Sequence, residues 1–524
     1  MNMKYKILSL LAIIVFSLNA CTDLEENPYS SLSPNIVFES PESYYQFLAK
    51  LYAGLAVTGQ QGPAGSADIQ GIDEGFSNYV RQYWKLQELS TDEAVVAWGD
   101  EGVQDFHLQN WTPANQFVSA LYNRFYYQIS LCNEFLRETS AAKLAERGQS
   151  DLSATIDTYR SEARFLRALS YWHALDLYGN VPFITENDNV GNALPKQATR
   201  QEIFNYVESE LLAIENSLPE PRQNEYGRAD KAAAWMLLAK LYQNASVYIN
   251  QDKNTECITY CNKIINSNYS LAGEYRLNFV ADNNNSPEII FPVTQDGIHT
   301  QTWGGTTFLV HAAVGGSMIP TDYGINGGWG GIRSTSALVN QFPDETGAID
   351  SRAMFYTNGQ NKEIADLTQF TDGYAIVKYT NITSDGQPGS DGTHTDTDFP
   401  MFRLADAYLM YAESVVRGGS GGDMGTAVGL VNQLRERAYG NASGDITAGD
   451  LNLDFILAER SRELYWECHR RTDLIRFNKF TENGIWPWKG GVEGGTTTDA
   501  HLNLYPIPAS DLIANSNLQQ NPKY

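Results

Sequence analysis

From Ser43 to Leu55 apolar side chains recur at Tyr44, Phe47, Leu48, Leu51 and Leu55, the spacing of a helix with one buried stripe. Ser40-Pro41 ahead of it supplies a cap and a first-turn proline. A stronger helix is predicted over Arg164–Tyr178, where the residues are apolar almost all round, so both faces are buried. Gly179-Asn180-Val181-Pro182 stops it, because glycine takes the left-handed cap and proline forbids continuation. A second helix of this kind is predicted from Arg228 to about Tyr248. The two align at an offset of 64 residues, Arg164 with Arg228, Arg167 with Lys231, Tyr171 with Trp235 and Leu177-Tyr178 with Leu241-Tyr242. Two tetratricopeptide units span about 68 residues, so the offset predicts stacked helical hairpins. Two unrelated alanine-rich buried helices are the alternative. Leu404, Tyr408, Tyr411 and Val415, beside Ala405, Leu409, Ala412 and Val416, form a further helix with two packing faces. Leu451 to Cys468 reads as a charged helix.

Between these blocks the pattern breaks. Residues 297–331 hold ten glycines and little helical period, so loops and short strands are expected there rather than a stable helix. The sequence therefore predicts a mostly α fold, a tetratricopeptide-like scaffold of helical hairpins at about 41–280 and 400–480. An irregular, loop-rich insertion at about 281–400 is expected to carry the ligand site, since binding concentrates on loops held by a rigid scaffold.

The first 40 residues lie outside that pattern. Lys4 and Lys6 precede a mostly apolar stretch, Ile7 to Ala20, too short to span a bilayer, so 1–20 reads as a signal peptide. Leu18-Asn19-Ala20-Cys21 is similar to a bacterial lipobox, which makes Cys21 the expected lipidated residue and 21–40 an acidic tether. Acyl chains at about 0.8 kcal/mol per buried CH₂ give a stable anchor. No later run of about 18 apolar residues follows, so membrane attachment is expected through lipid alone. A formal net charge of −25 repels phosphate backbones and anionic membranes, which argues against nucleic acid as a partner and favours a neutral ligand. Cys132, Cys257, Cys261 and Cys468 remain; Cys257 and Cys261, four apart with no histidine nearby, read as small buried residues or one local bridge.

Three tryptophans stand apart from the helical stripes. Trp98 precedes Gly99, Trp303 precedes Gly304-Gly305, and Trp329 lies between Gly328 and Gly330. Glycine neighbours strip away packing partners and let a ligand approach. Trp172 and Trp235, in contrast, sit in Leu/Ala-rich helices and are expected in the core; Tyr83, Trp84 and Tyr323 are candidate extra rings, with the core as the favoured place. A pyranose presents an apolar, slightly positive C–H face that stacks on an indole, while its rim hydroxyls suit Arg and carboxylate partners. The alternative for each ring is a plug that fixes its loop to the core. Asp92, Glu93, Asp100 and Glu101 formally offer catalytic carboxylates, but four acids in ten residues more often form a solvated loop. Gly418-Gly419-Ser420-Gly421-Gly422 formally fits a nucleophile elbow, yet follows a helix and reads as a flexible turn.

Several segments together resemble the SusD/RagB family of surface lipoproteins. They are Arg164 to Ala168 running on to Tyr178-Gly179-Asn180-Val181-Pro182, Gly227 to Ala233, Phe402 to Tyr408, Glu459-Arg460 through Phe477, and Tyr505-Pro506-Ile507-Pro508. The resemblance implies an outer-membrane, outward-facing binder, non-catalytic, that requires no cofactor and passes glycan to a SusC-like TonB-dependent transporter. Asp68 to Gly75, Glu88 to Glu93, Gln295 to Val310 and Asn326 to Trp329 are most similar to the family's starch-binding founding member. Carried over by motif, Trp98, Trp303 and Trp329 form an aromatic arc for a starch-like α-glucan, with Arg81, Asp73 and Glu101 as polar partners. Trp303 stands in place of Tyr, Glu101 in place of Asn, and Val96 in place of a further Trp. Asp396 and Asp398, with Asp282, are similar to a structural calcium site of hard oxygen ligands; surface turns are the alternative. A binder of another glycan such as β-glucan, a peptide binder and a surface glycoside hydrolase are the competing functions.

Overall fold

The structure is a computed structural model that describes residues 37–38, 40–188, 191 and 194–524. The expected signal peptide, the expected lipidation residue Cys21 and most of the expected tether lie outside the described residues. Contacts separate residues up to Tyr44 from the body Tyr45–Tyr524. In the first unit the rings of Phe38 and Tyr44 stack at 4.9 Å.

The body is mostly helical. After α1 (Pro41–Ala56) and α2 (Tyr79–Gln87), a scaffold is built from α3 (Gln116–Glu138), α4 (Ser153–Tyr178), α5 (Arg200–Ile214), α6 (Lys231–Gln243) and α7 (Asn254–Ile265). Sequence neighbours pack on one another, α3 on α4, α4 on α5 and α6 on α7. The helix stops at Gly179 as expected, but that residue sits at φ +75°, ψ −104°, a glycine-favouring positive φ outside the left-handed helical basin, with its N–H on the Leu175 carbonyl. The two arginines that align in sequence each tie one helix to another element, Arg164 to Glu210 of α5 at 2.8 Å and Arg228 to Glu162 of α4 at 2.6 Å.

Four sequence expectations change in detail. The helix expected from Arg228 begins at Lys231, because the Asp230 side chain caps it through the Ala233 N–H, and it breaks at Asn244. The charged helix expected to reach Cys468 is Leu453–Leu464; beyond it the chain turns through Trp466 and Cys468 at positive φ. Trp235 and Tyr323 are half-buried rather than core, and the Trp235 indole N–H lies on Glu215 at 3.0 Å. The glycine-rich window contains a helix, α8 (Gly305–Ala313), buried along its whole length. The glycines cluster on either side of Thr306–Ala313, and burial against α2 outweighs the composition of the window as a whole.

The C-terminal helices α9 (Leu404–Val416), α10 (Met424–Tyr439) and α11 (Leu453–Leu464) complete the scaffold, with α9 packed on α7, α10 and α11. The strands are short. Among them β1 (Val95–Val96) pairs antiparallel with β3 (Ile332–Arg333), and β2 (Ile289–Val293) with β4 (Phe399–Arg403) through a bulge. Cys132, Cys257, Cys261 and Cys468 are buried free thiols, with the Cys257 and Cys261 sulfurs 3.9 Å apart.

Candidate functional site

Two short helices form the base of the site. On α2, Arg81 and Trp84 are three residues apart; on α8, so are Phe308 and His311, a spacing that puts each pair on one face. Trp84 is fully buried and meets Phe308 edge-on at 5.5 Å. Phe308 in turn faces the Arg81 guanidinium at 4.8 Å and the Trp98 ring at 6.2 Å.

The β1–β3 ladder then brings two distant loops together. The Ala97 N–H extends it to the Gly331 carbonyl at 2.8 Å, so Trp98 and Trp329 lie side by side, 6.4 Å apart at 45°. The Trp98 indole N–H donates to the Trp329 carbonyl at 3.2 Å. Gly331 is required by contact: a Cβ there would lie 2.3 Å from Cε2 of Trp98. Trp329 is fixed from the inner side. Its N–H bonds the His311 carbonyl at 2.7 Å, and the buried His311 imidazole stacks on its ring at 4.9 Å and 23°. His311 Nδ1 is 2.6 Å from the Gly327 carbonyl and therefore carries the proton. Burial lowers the His311 pKa, which keeps the imidazole neutral at neutral pH.

Trp303 continues the row, 6.1 Å from Trp329 at 63° and 4.7 Å from the His394 ring. Arg81 Nη1 clamps the far end, donating to the Trp303 carbonyl at 2.8 Å and the Gly75 carbonyl at 2.9 Å. Burial pushes the Arg81 pKa down to about 10, against the pull of Asp100 and Asp73, so the guanidinium remains cationic at neutral pH. Asp73 is exposed and fixes its own turn by accepting the Gly75 N–H at 2.7 Å.

Trp98, Trp329, Trp303 and Arg81 thus form one contact group, with each indole half-buried and Asp73 at the margin. Glu101 is not drawn in. It lies on the exposed loop after Trp98, where its carbonyl accepts from Gln116 at 2.8 Å, and among the described residues no hydrogen bond joins its carboxylate to the group. Phe308, His311 and His394 support the rings and were not singled out from sequence. The 308/311 spacing inside a glycine-free run was the available signal for the first two; His394 had none.

The other candidate chemistry separates from this group. Asp92 forms a two-point bond with Arg470 at 2.7 Å each. Glu93, pushed up to about 7 by burial, accepts from Ser461 Oγ at 2.6 Å inside the core. Asp282, Asp396 and Asp398 line one cleft. Their six carboxylate oxygens accept hydrogen bonds, from Ser384, from Ser390 and Gly297, and from Gln295 and Tyr226 respectively. Among the described residues no three His, Cys, Asp or Glu side chains converge on one point, and the three aspartates tie neighbouring loops through these hydrogen bonds.

This fold and these segments define a known class. Residues 347–524 match the model of the SusD family, and residues 24–243 match a model described as starch-binding, associating with outer membrane. The chain is 38% identical to the starch-binding protein SusD of Bacteroides thetaiotaomicron over 91% of each chain. It is 26% identical to SusD-like protein P2 of Formosa agariphila, over 99% of this chain and 100% of that one. The chain belongs to the SusD family. Among solved structures, surface glycan-binding protein A from Bacteroides fluxus superposes with a TM-score of 0.72 at 19% identity, covering 93% of this chain and 100% of that one. Surface glycan-binding protein A from Bacteroides thetaiotaomicron, in complex with laminarihexaose, gives 0.69 at 20% identity, covering 92% and 99%. Among the described residues no helix is long and apolar enough to cross a membrane.

Proposed function

We propose that the protein binds starch-like α-glucan oligosaccharides at the cell surface without cleaving them and hands them to a SusC-like TonB-dependent transporter. A lipid on Cys21 holds it on the outer face of the outer membrane. The observation that carries the binding reading is the row of three touching, half-exposed indoles, Trp98, Trp329 and Trp303, each braced from beneath. The rings are tilted at 45° and 63° to their neighbours rather than coplanar, and a tilted series follows a curved polymer better than a flat one. C–H/π stacking supplies the contact, and the Arg81 and Asp73 side supplies charged partners for hydroxyls. The 38% identity to a protein named for starch binding supports α-glucan over other glycans. Hydrolysis is disfavoured because Glu93, whose pKa burial raises, is engaged in the core and not at the rings. Native gels cast with amylopectin or laminarin test this, together with product analysis. Retardation by amylopectin without released sugar is expected. Retardation by laminarin alone would move the specificity to β-glucan, and released maltose would make the protein a hydrolase.

A further inference from the structure

The indole row does not account for two adjoining clefts elsewhere in the body. A cleft of about 500 Å³ lies between α1 and the loops around Tyr226 and Gln301, and it adjoins a second of about 540 Å³. The two share Tyr226, Thr294 and residues 298–300, so they form one trough with Tyr226 at its middle. The Tyr226 ring is 43% exposed but not loose. Its hydroxyl donates to the buried Asp398 at 2.6 Å, and Gly227 holds the backbone at φ +87°, where a Cβ would strike Thr294 at 2.7 Å. Across the trough stands Tyr45, 40% exposed, with its hydroxyl on Glu225 at 2.9 Å.

The chemistry of the trough suits a neutral, hydroxyl-rich chain. Glu225 is already engaged by Tyr45 and by Arg228, and Arg228 by Glu162, so the charges of the inner cleft are paired. The amides of Gln60 and Gln301 remain as donors and acceptors at the wall. An exposed ring with a pinned hydroxyl offers a preorganised face at low entropic cost. The trough also meets the indole row: Gln301 on its rim is two residues from Trp303, at most about 7 Å along the backbone.

We propose that this trough is a second glycan subsite, with Tyr226 as its stacking ring, taking the part of a long neutral glucan chain that runs past Trp303. The proposal rests on the α-glucan reading of the indole row. It predicts a dependence on chain length: short oligosaccharides fill the indole row alone, and long ones engage both. Titration calorimetry with maltotriose and with maltoheptaose, and gel retardation by amylopectin, test it on the full chain. Tyr226→Ala is expected to leave maltotriose affinity unchanged and to lower the affinity for the long ligands about tenfold. Tyr226→Phe, which keeps the ring and drops the bond to Asp398, should stay within about twofold of the wild type. Ile298→Trp fills the trough from an exposed rim position and should reproduce the long-chain loss, which provides the measurement if Tyr226→Ala does not fold. Long-chain affinity unchanged in both Tyr226→Ala and Ile298→Trp, while Trp329→Ala lowers it about tenfold or more, would overturn the trough and leave the indole row standing. Equal loss in Tyr226→Phe and Tyr226→Ala would assign the effect to the hydroxyl anchor and overturn it too. No effect of Trp329→Ala on any α-glucan would fail the underlying reading itself.

Discussion

Trp84 and Trp329 both lie against other aromatic rings, yet their loss should be felt in different measurements. Trp84 is fully buried between Phe308 and Trp466, so Trp84→Ala leaves a core cavity and should cost about 3–5 kcal/mol in urea unfolding. Trp329 keeps an open side, so Trp329→Ala should cost less in stability and about tenfold to a hundredfold in α-glucan affinity by calorimetry. The reverse pattern would place Trp329 in the core and remove it from the site. Gly331→Ala is the finer probe. Its new methyl would displace the Trp98 indole, so it should lower affinity as Trp98→Ala does while the unfolding midpoint moves little. These ring positions were legible because each indole has glycine beside it, and glycine offers no side chain to pack. The braces were not legible. His394 meets Trp303 across 91 positions of sequence, a contact that no local pattern encodes.

At the level of elements, the most recognisable segments of the sequence hold the fold together and stand apart from the indoles. Phe402-Arg403-Leu404 ends β4 and opens α9, and Glu459 to Arg471 runs from the second half of α11 through the turn beyond it. Their charges meet in the core: Arg403 pairs with Glu288, Glu463 and Glu467, and Arg352 with Asp350, Glu459 and Glu463. Such a network is a poor source of net stability but a severe loss when one member is removed, because its partners stay buried and unpaired. Arg403→Ala should therefore cost about 3–5 kcal/mol in denaturant unfolding, with glycan affinity of the folded fraction unchanged. Helix stops followed from local signals such as Gly179, whereas the Asp230 cap sets the start of α6 at Lys231 rather than at the expected Arg228. The network did not follow from such signals, since its members come from four separate stretches of chain. Helix α8 was hidden for a related reason: its stability comes from burial against α2, whereas the glycine count describes the loops on either side of it.

For the molecule as a whole, two populations of buried carboxyls pull stability in opposite directions with pH. Arginines hold Glu413 and Glu459 down at about 2, and Glu463 lower still. Such groups stabilise the fold above the unfolded pKa of about 4.3, and that stability is lost as pH falls towards 2. Burial instead pushes Glu93 and Asp398 up to about 7, and Glu88 upward beside Glu93. These release their protons from about pH 4 in the unfolded chain but keep them until about 7 in the fold, so each lowers stability across that interval. Unfolding free energy should therefore rise from pH 2 to about 4.5 and decline from there to 7. The net charge of −25 adds self-repulsion in the same upper range, so the local and global contributions have to be separated. Glu93→Gln separates them, because it removes one titrating carboxyl, keeps an oxygen for Ser461 and changes the total charge by one. Its stability should converge on the wild type's near pH 4.5 and exceed it progressively towards pH 7, by about 1.4 kcal/mol per pH unit at most. Urea unfolding of both proteins at several values between pH 4 and 8 measures that divergence. Parallel curves would mean that Glu93 ionises in the fold as it does in the unfolded chain, and would leave surface charge as the source of the decline.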